Sequence, residues 1–204
     1  MRKGTKLLLS CLGLALASCT GPKSYGPAAY LRYVEDPGHE YRVKQEIGDK
    51  EYTIQLAPPE YLISKESEEH KDSLSGFVSR RRAELKGYMF FLVRMGHTEQ
   101  SRREQGGKLQ SEQQANVNSM VAYYDQQAAA DISLQSGNRT LSPSTYVFEN
   151  NYGLSPYNTI VVGFEVGEPL TELTLNFNDR YNNIPSIRAG FSKETLDKLP
   201  TLSL

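Results

Sequence analysis

Cysteine is scarce and tryptophan is absent: Cys11 and Cys19 are the only thiols in 204 residues. Imidazole is almost as rare, with His39, His70 and His97 only. No two of these stand two to four residues apart, and His70 with Glu66 or Glu69 offers too few ligands for zinc. No metal and no cofactor is therefore expected. The net charge of −1 comes with basic residues spread along the chain, so no basic stripe marks a nucleic-acid partner. Beyond residue 18 no stretch is long and apolar enough for a membrane-spanning helix, and too few alternating segments occur to close an outer-membrane barrel. Neither the Gly-x-Ser-x-Gly elbow nor the Gly-x-x-x-x-Gly-Lys-Ser/Thr phosphate loop occurs. Internal repeats and low-complexity tracts are also missing.

What is present begins with the first nineteen residues. Arg2, Lys3 and Lys6 form a basic head, Leu7–Leu16 is an apolar run broken only by Ser10 and Gly13, and Ala17-Ser18 leads into Cys19. The run is well short of the roughly 20 residues that span a bilayer core, so it is read as the apolar region of a secretory signal. An ordinary signal peptide cut nearby would leave Cys19 a free thiol. The ending Leu16-Ala17-Ser18-Cys19 resembles the lipobox of bacterial lipoproteins. That resemblance implies cleavage before Cys19, diacylglycerol on its thiol and further acylation, palmitate included, on the new amine. Several acyl chains together give lasting retention where one is marginal. Thr20, not Asp, follows the cysteine, which in that family implies the outer membrane. Residues Thr20–Tyr25 lack an acidic export cluster, which implies a periplasm-facing domain. With Cys11 removed and Cys19 acylated, no disulfide is expected.

Thr20–Pro27 holds two Pro and two Gly in eight positions and reads as a flexible tether. The chain is thus divided into a signal peptide (1–18), a lipidated tether (19–28) and one globular domain (29–204). Ala29–Glu35 is read as a first strand, ended by Asp36-Pro37-Gly38. Tyr41, Val43 and Ile47, then Tyr52, Ile54 and Leu56, alternate with polar residues around Gly48-Asp49-Lys50, which predicts an antiparallel hairpin with one wet face. A short helical turn over Glu60–Lys65 follows. Ser67 is the expected N-cap of a helix carrying Leu74, Phe77, Val78 and Leu85, closed by Gly87. Tyr88–Met95 is apolar on both faces and is read as the central strand. Gly96–Gly107 reads as a loop, Leu109–Gln127 as a helix and Asp131–Leu134 as a short strand, with a turn-rich link over Gly137–Pro143. Tyr146 and Phe148 mark another strand. Ile160–Val166 and Leu173–Phe177 alternate and are read as hairpin partners. Ile184–Phe191 adds an edge strand, and Ser192 caps a last helical turn. The class is α+β, mainly antiparallel sheet with two or three packed helices.

No residue is nominated as catalytic. Ser75 falls inside a helix, where a hydroxyl bonds its own backbone. Glu165, Glu172 and Asp179 are read as solvent-face charges rather than a glycosidase pair. Asn176, Asn178, Asp179 and Asn182 are oxygen-rich but lack EF-hand spacing. Arg80-Arg81-Arg82 and Arg102-Arg103 are diluted by Glu84, Glu99 and Glu104. Tyr123-Tyr124 and the tyrosines of 146–157 suit either a binding surface or core packing. The Tyr-rich hairpin, buried central strand and Leu-Pro-Thr-Leu ending look like those of small, uncharacterised lipoproteins of Bacteroidota. The expected function is a non-enzymatic, membrane-anchored binding or assembly component with an envelope protein as partner. The alternative is a periplasmic hydrolase or carbohydrate-active domain.

Overall fold

The computed structural model describes residues 23–104, 109–152 and 154–204, with the backbone alone at 71–73 and 109–116. Cys19 and the signal segment lie outside the described residues. Among the described residues the chain runs β1 (Ser24–Tyr25), α1 (Pro27–Glu35), β2 (Arg42–Ile47), β3 (Lys50–Ala57), α2 (Pro59–Glu66), α3 (Leu74–Glu84) and β4 (Tyr88–His97). It continues through α4 (Glu99–Glu104), α5 (Leu109–Gln126), β5 (Ile132–Ser136), β6 (Arg139–Leu141), β7 (Thr145–Glu149) and β8 (Tyr157–Glu165). The last elements are β9 (Leu173–Asp179), β10 (Ile184–Phe191), α6 (Lys193–Asp197) and β11 (Thr201–Leu202).

The fold is α+β, in three layers. An antiparallel sheet of five strands, in the order β2-β3-β4-β8-β7, lies against a second of four, β10-β9-β5-β6. Period-two alternation sends Tyr52, Ile54, Phe91, Val93, Val162 and Phe164 from the first sheet into one core with Leu134, Leu175, Phe177 and Phe191 from the second. The opposite face of the five-stranded sheet offers Ala57, Phe90 and Leu92 to α1, α2 and α3, which bury Tyr30, Val34, Tyr61, Ile63, Phe77 and Val78 there. Strand β4 is sandwiched between the two cores, which is why its sequence is apolar on both faces. Gly163 on β8 lies under the Phe90 ring, where a Cβ would sit 2.5 Å from the ring edge.

Several sequence expectations need correction. Ala29–Glu35 is helix, not strand: Pro27 fills the first helical turn, and Tyr30 and Val34, four apart, are the buried residues. Residues 24–28, read as part of a flexible tether, belong to the folded body. Ser24 and Tyr25 pair in parallel with Thr201 and Leu202, and α1 follows from Pro27. Ser67 does not cap α3. It continues a helical backbone as a 3-10 turn, and its hydroxyl donates back to the Ser64 carbonyl at 2.7 Å. The expected loop after Gly96 contains α4, because Thr98 Oγ1 accepts from the Ser101 N–H and starts a helix. The stretch expected to be turn-rich holds the tight turn Gly137-Asn138 and then β6, which pairs back on β5. Finally, β8 and β9 are not a hairpin. Val166 and Gly167 both donate to the Gly87 carbonyl, which keeps the end of β8 in the first sheet. The chain then crosses to the second sheet, where β9 pairs with β5 and β10. Alternation fixes which face of a strand is buried; it is silent about the neighbour.

Candidate binding cleft

The residues that sequence reading singled out are mostly absorbed by packing. His39 Nδ1 donates to the Tyr33 carbonyl at 2.8 Å and its ring lies on the Tyr33 ring. His70 stacks on Phe77. His97 contacts Asp49 Oδ2 at 3.1 Å and Lys50 Nζ at 3.2 Å; burial and the Lys50 charge hold its pKa below the usual imidazole value, against the pull of Asp49. Among the described residues no three of His, Cys, Asp and Glu gather as a metal site. Ser75 is exposed on α3, and Glu165 and Glu172 are exposed.

Asp179 is different and overturns its reading as a solvent-face charge: it is fully buried. Its Oδ2 accepts from Tyr52 Oη at 2.6 Å, Tyr124 Oη at 2.8 Å and Asn182 Nδ2 at 2.8 Å, while Oδ1 accepts from the Asn182 N–H at 3.2 Å. Tyr52 comes from the five-stranded sheet, Asp179 from the end of β9 and Tyr124 from α5. The carboxylate is therefore a knot joining both sheets and a helix. Its neighbours present hydrogens rather than oxygens, which suits an anion and not calcium. Burial first, and then Asp179, push the Tyr52 and Tyr124 hydroxyls far above the ordinary phenol range. Tyr123 is buried beside them and donates to Asp131 at 2.9 Å.

All members of the arginine runs except Arg102 are paired with acids. Arg81 pairs with Glu66 and Glu84, Arg80 with Glu84, Arg82 with Glu60 and Arg103 with Glu99. Uncompensated positive charge gathers elsewhere, on the outer face of the five-stranded sheet. The helices cover one end of that face and leave the other open as a cleft of about 390 Å³. Register builds its floor. One cross-strand row runs Lys44, Thr53, Arg94, Thr159, and the next runs Glu46, Glu51, Gly96, Tyr157. Arg102 from α4 and Pro37 after α1 form walls. Gly96 is required there: a Cβ would lie 2.5 Å from the Pro156 carbonyl oxygen, where the loop into β8 crosses.

The charges of the cleft are unevenly spent. Lys44 is paired with Glu46 at 2.9 Å and Glu51 at 3.0 Å. Arg42 Nε donates to Gln55 Oε1 at 2.8 Å and its Nη2 to the Glu35 carbonyl at 2.9 Å. Gln55 is itself fully buried and pinned by the Val34 and Tyr41 carbonyls, so it sets the Arg42 guanidinium rigidly. Arg102 Nη1 donates to the His97 carbonyl at 2.8 Å. Arg94 lies over the Tyr157 ring, 5.4 Å from its centroid. Among the described residues none of these three guanidiniums has a carboxylate partner. Comparison with known proteins is silent: no family model, curated protein or solved structure matches the chain.

A second cleft of about 290 Å³ lies where Pro58, Leu85, Tyr88 and Pro200 meet, and its rim balances Glu60 and Glu168 against Arg82 and Lys86. The first cleft is the one with a directional electrostatic demand. Of its residues, sequence reading named Arg102 and the tyrosines around 157 and treated Arg42 and Lys44 as a wet face. Arg94 carried the missed signal, being the one charge in an otherwise apolar central strand.

Proposed function

We propose that the chain is a membrane-anchored envelope lipoprotein that binds another envelope component and performs no chemistry of its own. Lipid on Cys19 holds it at the outer membrane, facing the periplasm, and the arginine-lined cleft takes the partner. The observation that carries this reading is the cleft: two guanidiniums, Arg42 and Arg102, held by neutral acceptors and a third, Arg94, over the Tyr157 ring, none of them paired with a carboxylate among the described residues. Such a surface recognises and does not transform, since it offers no nucleophile beside a base. The hydrolase alternative loses one of its three named carboxylates, because Asp179 is enclosed by its own donors.

The lipobox-like ending Leu16-Ala17-Ser18-Cys19 supports the anchor. The first strand starts at Ser24, five residues beyond the cysteine. A chain spans at most ~3.3–3.6 Å per residue, so the domain is held within ~17 Å of its lipid. Confinement of that kind raises the effective concentration of any partner on the same surface without a new contact. The experiment is fractionation of Cys19→Ser in a bacterial host with palmitate labelling. Wild type is expected in the membrane fraction with label, and the variant released without it. A variant that stays on membranes at the same size, with label retained, refutes the anchor.

A further inference from the structure

We propose that the cleft is a site for a polyvalent oxyanion, a phosphoryl group or clustered carboxylates, gripped by Arg94 with Arg42 and Arg102 supplying the remaining charge. This names the ligand chemistry of the binding role proposed above and rests on that reading for its setting.

Arg94 is the centre of the argument. Its neighbours across the strands on the same face, Thr53 and Thr159, are uncharged, and its ring contact is Tyr157. A contact with a ring face spends none of the guanidinium's N–H donors, which stay free for a ligand. A planar fork of donors matches two oxygens of a phosphate or carboxylate, and such charge-assisted pairs are about twice as strong as neutral ones. Arg42 and Arg102 spend N–H groups on Gln55, Glu35 and His97, but those acceptors are amide and carbonyl oxygens. They aim the guanidiniums without cancelling charge. Glu51, the acid of the lining, is turned to Lys44. Lys44 faces two acids, Glu46 and Glu51, so the four cations of the cleft are set against two carboxylates and two positive charges are left over, of which a single carboxylate would meet only half. The excess fits an anion of two or more charges. On a half-enclosed protein face the attraction is also several times stronger than in bulk water, because the effective dielectric is about 20 rather than about 80.

The test is calorimetric titration of the purified protein with pyrophosphate, inorganic phosphate, citrate and acetate at low salt. Pyrophosphate or citrate is expected to bind, acetate not, with affinity falling as salt rises. Pyrophosphate tighter than citrate assigns a phosphoryl group; the reverse assigns clustered carboxylates. Arg94→Gln is expected to weaken binding about tenfold or more, and Arg94→Lys to recover only part, since an ammonium lacks the fork. Arg103→Gln, whose guanidinium pairs with Glu99, is expected to change nothing. The proposal is overturned if polyvalent anions bind no better than acetate, or if Arg103→Gln weakens binding as much as Arg94→Gln. Should Arg94→Gln fail to fold, Arg102→Gln and the rise in wild-type Tm with pyrophosphate carry the same decision. The two proposals fail separately: anion binding does not depend on Cys19, and membrane release of Cys19→Ser does not depend on Arg94.

Discussion

Replacing Asp179 by alanine removes an acceptor that three donors share. Tyr52, Tyr124 and Asn182 all point at Oδ2, at 2.6, 2.8 and 2.8 Å, in a fully buried site. A buried donor left without an acceptor costs about 1–3 kcal/mol, and two phenols and an amide are stranded together. Two effects offset the sum. Asn182 Nδ2 already donates to the Tyr124 hydroxyl at 2.8 Å, and the desolvation of a buried carboxylate disappears with it. A net loss of about 3 kcal/mol is therefore expected for Asp179→Ala. For a domain of this size each kcal/mol moves Tm by about 2–4 °C, so the melting point should fall by about 6–12 °C. Asp179→Asn keeps a carbonyl oxygen for the Oδ2 position but sets an NH2 against the Asn182 N–H, 3.2 Å from Oδ1. About half the loss is expected. Thermal and urea unfolding followed by far-UV circular dichroism measure both, and a cycle with Tyr52→Phe should show coupling of at least about 1 kcal/mol. An Asp179→Ala protein as stable as wild type refutes the reasoning, as does Asn proving as harmful as Ala or an additive cycle.

Alkali should unfold the protein cooperatively. Burial raises Tyr41 and Tyr123 from 10.0 to about 12, and Tyr30, Tyr52, Tyr61, Tyr124 and Tyr146 are pushed up further. Because the folded state keeps these protons longer, their contribution is intact below about pH 10 and is lost as pH climbs from there through about 12. Tyrosinate absorbance and circular dichroism should change together in that window; a smooth phenol titration near pH 10 with the fold retained contradicts it. Gly163→Ala places a Cβ 2.5 Å from Cε1 and 2.6 Å from Cδ1 of Phe90, a ring only 4% exposed. Overpacking of this kind costs about 1–3 kcal/mol, read as a lower urea midpoint at unchanged slope, and an unshifted midpoint shows that the helix layer yields freely.

Much of the fold is legible because faces are written in the sequence. Tyr41–Leu56 alternates and forms its hairpin, Tyr88–Met95 is apolar on both faces apart from Arg94 and forms the central strand, and Ser192 caps α6 by accepting from the Thr195 N–H. Partners are not written in that way. The β8–β9 assignment failed because two alternating strands separated by a short link look alike whether they pair or change sheets. Ala29–Glu35 failed because Ala29, Leu31 and Tyr33 mimic alternation, whereas the helix buries Tyr30 and Val34. Asp179 looked like any acid at a strand end. Only the return of Tyr52 and Tyr124, 127 and 55 residues away in sequence, makes it a buried knot.

The cleft follows from a difference between how helices and strands dispose of charge. On a helix, residues three and four apart are neighbours, so a basic run meets acids within its own turn: Arg80 and Arg81 reach Glu84, and Arg103 reaches Glu99. A run of arginines in sequence is thus a poor sign of free charge, and Arg80-Arg81-Arg82 illustrates it. On a strand, the nearest neighbours of a charge lie on other strands, fixed by register and not by the local sequence. Arg94 faces Thr53 and Thr159 because β3, β4 and β8 are paired as they are. A shift of one residue in β3 would set Tyr52 or Ile54 opposite Arg94 and invert the faces of the strand, which the Tyr52 bond to Asp179 opposes. The buried carboxylate and the open guanidiniums are in this sense one system: the same register that takes Tyr52 inward to Asp179 leaves Thr53 outward beside Arg94. Disturbance of the knot should therefore reach the cleft, and anion affinity in Asp179→Ala is the measurement that decides whether it does.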